Sequence, residues 1–305
     1  MLQMKEEQMH RVVRKLVALS LVVAFVGALS SVAIADPAGF EYQGGQPYVM
    51  PGHFGAANTG WDGKVAHYED NTAITIMYVT DREAVAALLP PGFTPTDPCV
   101  VSVAFVMCRG VDYMAGGGYN LVNVNVSARF EGKRDKAEGN FALVLWENDF
   151  FPIMLGREVL GAPKLYAEIP DAWMRDGKRG FTASENGTLL LEGEIWDLRE
   201  ATPEEMQAMA EQNKGKIWMG WKYIPSCDLR GADVSNATAL PAKSDIKNVW
   251  MGQGKVTFHE VAWEKAPLSS RVVNVLNKLP VVQYQGALMT RGSQDLLIHL
   301  QHPME

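Results

Sequence analysis

Between Leu121 and Phe130 the sequence alternates without a break. Leu121, Asn123, Asn125 and Ser127 fall on one face, and Val122, Val124, Val126 and Ala128 on the other. A period of two belongs to a strand whose two faces meet different surroundings. At 3.6 residues per turn a helix would scatter the same apolar set around its axis. Such a strand needs partners, and the chain supplies them. Further β-rich runs are expected at 72–79, 99–108, 140–146, 165–169, 180–184, 188–196, 216–225, 248–263 and 281–289. Asp176-Gly177 and Asn186-Gly187 read as tight hairpin turns. Helix signals are few. Thr80 with Glu83 predicts a capping box for a short helix over 81–89. Thr202, Pro203 and Glu205 predict a helix running to about Asn213. A short apolar helix or turn is expected over 150–159, and another helix over 269–278. No regular strand–helix–strand alternation appears. The expected fold class is mainly β (α+β): a large antiparallel β-barrel or cone-like sheet with peripheral helices.

The first 35 residues differ from the rest. Lys5, Arg11, Arg14 and Lys15 precede an apolar run from Leu16 to Ala35, which ends Ala33-Ile34-Ala35. Basic flank, apolar core and small-residue exit predict a signal peptide cleaved after Ala35, and so a secreted or periplasmic protein. An uncleaved anchor is the alternative, because ~20 apolar residues span a bilayer. Residues 36–63, rich in Gly, Pro and aromatic side chains, are expected to form an extended arm, and residues 64–305 one domain. The net charge is −7, and the basic leader makes the remainder more acidic still. That excludes the nucleic-acid and anionic-membrane binders that depend on a basic face, so no membrane partner is expected after cleavage. Cys99 and Cys108 bracket one apolar run, and nine strand steps span roughly 30 Å. A disulfide needs Cα atoms within ~7 Å, so these two do not pair. Either Cys227 pairs with one of them or all three are buried thiols; the second is expected. The histidines lie far apart, with no metal-ligand spacing, and no phosphate loop, dinucleotide fingerprint or nucleophile elbow occurs. Neither metal nor cofactor is expected.

The stretch Trp146–Lys164 carries the most chemistry. It ends Gly156-Arg157-Glu158-Val159-Leu160-Gly161-Ala162-Pro163-Lys164. Here a lysine follows a proline that fixes the backbone, at the end of an apolar segment. Desolvation disfavours the ammonium form, and a free amine attacks carbonyl carbon. Taken alone, a Pro-Lys pair is far more often a solvated surface charge. In order, however, Gly156-Arg157-Glu158, Gly161 and Pro163-Lys164 resemble the signature of the acetoacetate decarboxylase family. Lys222-x-x-Pro225 and the segment His259-Glu260, Trp263, Pro267-Leu268 resemble further family segments, so the likeness runs from about Thr72 to Leu300.

The resemblance implies a β-rich fold, a homo-oligomer and a buried Schiff-base lysine at Lys164. Substrate-binding roles are expected for Arg157, Glu158, Asn123, Trp146 and Lys222, with a small keto acid as substrate. Departures accompany the match. The family's second lysine is Leu165 here. Its acidic positions match Leu121 and Val103, and its arginine falls near Asn71. Leu165 is expected in the apolar wall around Lys164. Three functions remain open: an exported acetoacetate-decarboxylase-like lyase acting through a Lys164 imine, a Schiff-base aldolase or dehydratase, and a non-catalytic small-ligand-binding protein.

Overall fold

The valine face of the alternating strand decides the architecture, because a row of fully buried branched side chains demands a second layer. The computed structural model describes residues 42–57 and 60–305. The expected signal peptide, its expected cleavage site and the start of the expected arm lie outside the described residues. Residues 43–52 and 56–305 form one compact unit; in the other, the described residues are Tyr42 and 53–55, where the rings of His53 and Phe54 lie 4.4 Å apart, tilted by 42°.

In chain order the strands are β1 (Ala66–Val79), β2 (Phe93–Pro95), β3 (Val100–Val111), β4 (Gly117–Glu131), β5 (Lys136–Glu147), β6 (Lys164–Tyr166) and β7 (Trp173–Arg175). They continue with β8 (Lys178–Glu185), β9 (Thr188–Glu200), β10 (Ile217–Pro225), β11 (Ala232–Leu240), β12 (Ala242–Phe258), β13 (Gln283–Leu296) and β14 (His302–Met304). Four short helices interrupt them: α1 (Arg82–Ala86), α2 (Phe150–Leu155), α3 (Pro203–Asn213) and α4 (Ser270–Leu276).

All fourteen strands join one sheet in the order β14-β11-β10-β5-β4-β3-β1-β13-β12-β9-β8-β7, with β2 added to β4 and β6 to β5. Most pairings are antiparallel. β5 is the exception, because it takes β10 beside its start and β6 beside its end, both parallel. The chain is mainly β as expected, but the sheet does not close into a barrel: β14 and β7 are its two ends.

The two faces of the central strands separate as the alternation predicts. Val122, Val124, Val126 and Ala128 are fully buried, against Val101, Val103 and Phe105 of β3 and Ile74 and Ile76 of β1. Each such side chain contributes about 1.5–3 kcal/mol of burial. On the other face a second, smaller cluster gathers Tyr68, Cys108, Tyr113, Tyr119, Leu155, Leu160 and Leu240.

Local signals held unevenly. Asp176 and Gly177, and Asn186 and Gly187, all take positive φ, as two-residue turns of this kind require. Thr202 and Glu205 form the reciprocal capping box of α3. The box at Thr80 does not form. Asp81 caps α1 instead, its Oδ1 accepting from the Ala84 amide at 2.7 Å, because Asp is an equally good cap one residue nearer the helix. Cys99 and Cys108 are buried free thiols as expected, whereas Cys227 is exposed in the turn after β10.

Candidate active site

Strand register builds the site. Leu121 of β4 stands opposite Glu147 of β5, and Asn123 opposite Leu145. The parallel pairing then sets Lys164 of β6 beside Leu145, and Tyr166 beside Glu147. Side chains paired across a sheet share a face. One face therefore carries Leu121, Asn123, Leu145, Glu147 and Lys164. Lys164 Nζ lies 2.8 Å from Glu147 Oε1 and donates to the Pro152 carbonyl at 3.0 Å. Glu147 is fully buried and Lys164 only 8% exposed. The contact is a close ion pair rather than a well-directed hydrogen bond, since neither carboxylate oxygen has an aligned donor. Burial pushes the Glu147 carboxyl above the usual carboxylate range, and the adjoining Lys164 ammonium offsets part of that rise.

The segment between β5 and β6 folds to deliver the amine. Asp149 caps α2, accepting from the Phe151 amide at 2.9 Å. A five-residue π turn follows over Gly156–Leu160, closed by Gly161 at φ +74°. The amides of Gly161 and Ala162 both donate to the Gly156 carbonyl. Such wide turns recur at functional sites. Gly156 has an ordinary helical φ, so its backbone would accept any residue. Its side is the constraint, because a Cβ there would overlap Lys164 Cδ and Cε.

Lys164 and Glu147 form the polar floor of a cavity of about 220 Å³. Its walls are mostly apolar and include Val106, Leu121, Leu145, Leu160, Trp218 and Leu296. Asn123 lines it too, with a buried Oδ1 that has no partner. Tyr68 and Tyr119 complete one side. The Tyr68 hydroxyl is 3.2 Å from those of Tyr113 and Tyr119, and burial holds the phenols of Tyr68 and Tyr119 well above their usual range. Burial likewise pushes the lining thiol Cys108 up to about 12, so it is no thiolate nucleophile near neutral pH. A larger, open groove of about 530 Å³ lies between Asp70, Arg109, Lys247 and Arg291, with Asp70 paired to Arg291; it holds no buried titratable group.

Of the residues expected to meet substrate, Lys164 and Asn123 face the cavity; the other four lie outside its lining. Trp146 points through the sheet into the main core and donates its indole N–H to Ser269 Oγ at 3.0 Å, because it alternates with Leu145 and Glu147. Arg157 is exposed and its Nη1 donates to the Lys164 carbonyl at 2.8 Å, so it holds the backbone of the lysine. Glu158 Oε2 accepts from the Met50 amide at 3.0 Å and ties down the N-terminal arm. Lys222 donates to the Val159 carbonyl at 3.3 Å, buttressing the π turn, and burial lowers its pKa against an opposing pull from Glu158. Leu165 is buried but belongs to the main core, since one step along β6 reverses the face. Val103 is in that core as well, and Asn71 sits behind the lining, its Nδ2 donating to Gln294. Glu147 is the residue that sequence reasoning missed. The carboxylate lacking at Leu121 stands on its cross-strand partner. Its one sequence signal was an acid closing an apolar strand, in step with Leu145.

The sequence profile of the acetoacetate decarboxylase family matches residues 51–298, a span that includes every part of the cavity lining. The chain belongs to the acetoacetate decarboxylase family. Solved structures share the fold. Acetoacetate decarboxylase from Legionella pneumophila has a TM-score of 0.64 at 19% identity, covering 80% of this chain and 88% of that one. An acetoacetate decarboxylase-like enzyme from Sphingomonas wittichii scores 0.60 at 15% identity, over 80% and 94%. The enduracididine biosynthesis enzyme MppR, in its complex with pyruvate, scores 0.58 at 16% identity, over 79% and 90%. No curated protein resembles the chain closely enough in sequence to count as a relative. Among the described residues no cluster of three or more His, Cys, Asp or Glu side chains could hold a metal, and no helix is long and apolar enough to cross a membrane.

Proposed function

We propose that this chain is an imine-forming lyase, in which Lys164 attacks the carbonyl carbon of a small substrate and Glu147 handles the protons. The 2.8 Å contact between Lys164 Nζ and Glu147 Oε1 on the floor of a mostly apolar cavity carries the proposal. A buried carboxyl with a raised pKa takes the proton of the ammonium and leaves a free amine. The amine adds to the carbonyl. The carbinolamine then takes the proton back from Glu147, loses water and becomes an iminium. The iminium draws electrons from the bond beside it. Loss of carbon dioxide, cleavage of a C–C bond, or removal of an α-proton by Glu147 each leaves the enamine. Decarboxylation of a keto acid and aldol-type chemistry share these steps up to the iminium. Tyr68, Tyr119 and Asn123 remain to orient the substrate oxygen.

Reductive trapping tests this. Cyanoborohydride with a small ketone should add the ligand to Lys164 and nowhere else, read by peptide mass mapping. Absence of any adduct on Lys164 overturns the proposal. Export with cleavage after Ala35 and assembly into a homo-oligomer belong to the same proposal. The mass of the mature chain's first peptide and the particle mass in solution check them.

A further inference from the structure

The resemblance brought with it a keto-acid substrate, and the charges in the cavity do not suit one. Lys164 is the only cationic side chain among the described residues that line the cavity. Its charge is already matched by a single fully buried carboxylate. The two neighbouring cations are engaged outside: Arg157 on the Lys164 carbonyl and Lys222 on the Val159 carbonyl. From these observations we infer that the substrate is an uncharged aliphatic or aromatic ketone or aldehyde. This rests on the imine proposal above and narrows its substrate class.

Charge counting carries the inference. The free pair holds one proton between an amine and a carboxylate, so it is neutral overall. After condensation with an uncharged carbonyl compound the cavity holds an iminium and the Glu147 carboxylate, with one water released. The total is still zero. A 2- or 3-keto acid adds one negative charge at every stage, beside a carboxylate, where the remaining polar lining, Tyr68, Tyr119, Asn123 and Gln294, is uncharged. Burying an unmatched anion there is strongly disfavoured, and the site could balance it only by taking up a further proton on Glu147. With an uncharged substrate the Glu147 carboxylate is free to remove the α-proton from the iminium. That electron pair becomes the enamine double bond, which attacks a second carbonyl carbon. The reverse sequence cleaves a β-hydroxy ketone. The inference thus selects aldol-type chemistry over decarboxylation.

The test pairs ligands of equal carbon number on the full wild-type protein: acetone with pyruvate, and 2-pentanone with 2-oxopentanoate, each trapped by cyanoborohydride at Lys164. The uncharged member should reach half-maximal labelling at a concentration at least about tenfold lower near neutral pH. The labelling ratio of keto acid to ketone should rise as pH falls, because only the keto acid needs the extra proton. Glu147→Gln, which leaves the Lys164 cation unmatched, should reverse the preference; if that variant does not fold, the wild-type ratio and its pH trend decide alone. Keto acids labelling at equal or lower concentration, with a pH-independent ratio, would overturn this inference and leave the imine proposal standing. No adduct from either ligand class would overturn both.

Discussion

Glu185 and Glu147 each close a strand, β8 and β5, and each is buried, yet they are held in opposite ways. Glu185 Oε1 accepts from the Leu268 amide and Oε2 from the Ser269 amide, both at 2.9 Å. Its charge is met by fixed backbone donors that fasten the segment leading into α4. Glu147 has no backbone donor; its partner is an amine on a flexible side chain. Backbone amides do not give up their protons at neutral pH, whereas an ammonium does. The first carboxylate is therefore a structural fastener and the second a proton acceptor. Burial alone does not separate the two roles; the identity of the donor does.

Four variants would break or sharpen this comparison. Lys164→Ala should abolish imine trapping completely, and no other lysine should substitute. Glu147→Gln should slow imine formation by about a hundredfold or more, the usual scale for losing an acid–base partner. Its stability should fall too, because the buried Lys164 ammonium loses its partner, so trapping is read on the folded fraction. Glu185→Ala should lower stability alone. Two amides lose their acceptors, the buried one of Ser269 at a cost of ~1–3 kcal/mol, while trapping measured on the folded fraction stays intact. Urea unfolding beside trapping kinetics separates the pair. Gly156→Ala should lower the trapping rate by about tenfold with a smaller effect on stability, because the added methyl displaces the amine rather than the backbone; a rate loss of that size equals ~1.4 kcal/mol in the barrier.

Much of this could be read in the sequence, and the misses have physical causes. The valine face of β4, the Asn186-Gly187 turn and the Thr202 cap are local, so a few adjacent residues specified them. Lys164 was marked by its proline and by the ordered motif around it. Glu147 was hidden because its role depends on β6 adding in parallel to the end of β5, a pairing of residues nineteen apart across a π turn. Leu165 was expected in the apolar wall around Lys164, and Trp146 in a substrate-binding role. Strand alternation turns both to the other face, where they pack in the main core. Arg157 and Lys222 were expected at the substrate because they stand in the segments that resemble the family's. Both instead bond to carbonyls of the segment that carries it.

A smaller effect follows from the raised Glu147 pKa. The folded state then binds more protons than the unfolded state at pH values above the unfolded carboxyl's ~4.3 and up to the folded value. Glu147's contribution to stability is fully present below that window and is lost as pH rises through it. Unfolding free energies across a pH series should show this loss in the wild type and not in Glu147→Gln.

The central claim is that one proton is shared by Glu147 and Lys164 and is spent when the imine forms. The infrared difference spectrum between wild type and Glu147→Gln measures it directly. A protonated carboxyl band should persist well above the ordinary glutamate value of ~4.3, and should vanish when a ketone converts Lys164 to the iminium. A Glu147 carboxyl that is ionised throughout that range, and unchanged by the ketone, would contradict the account.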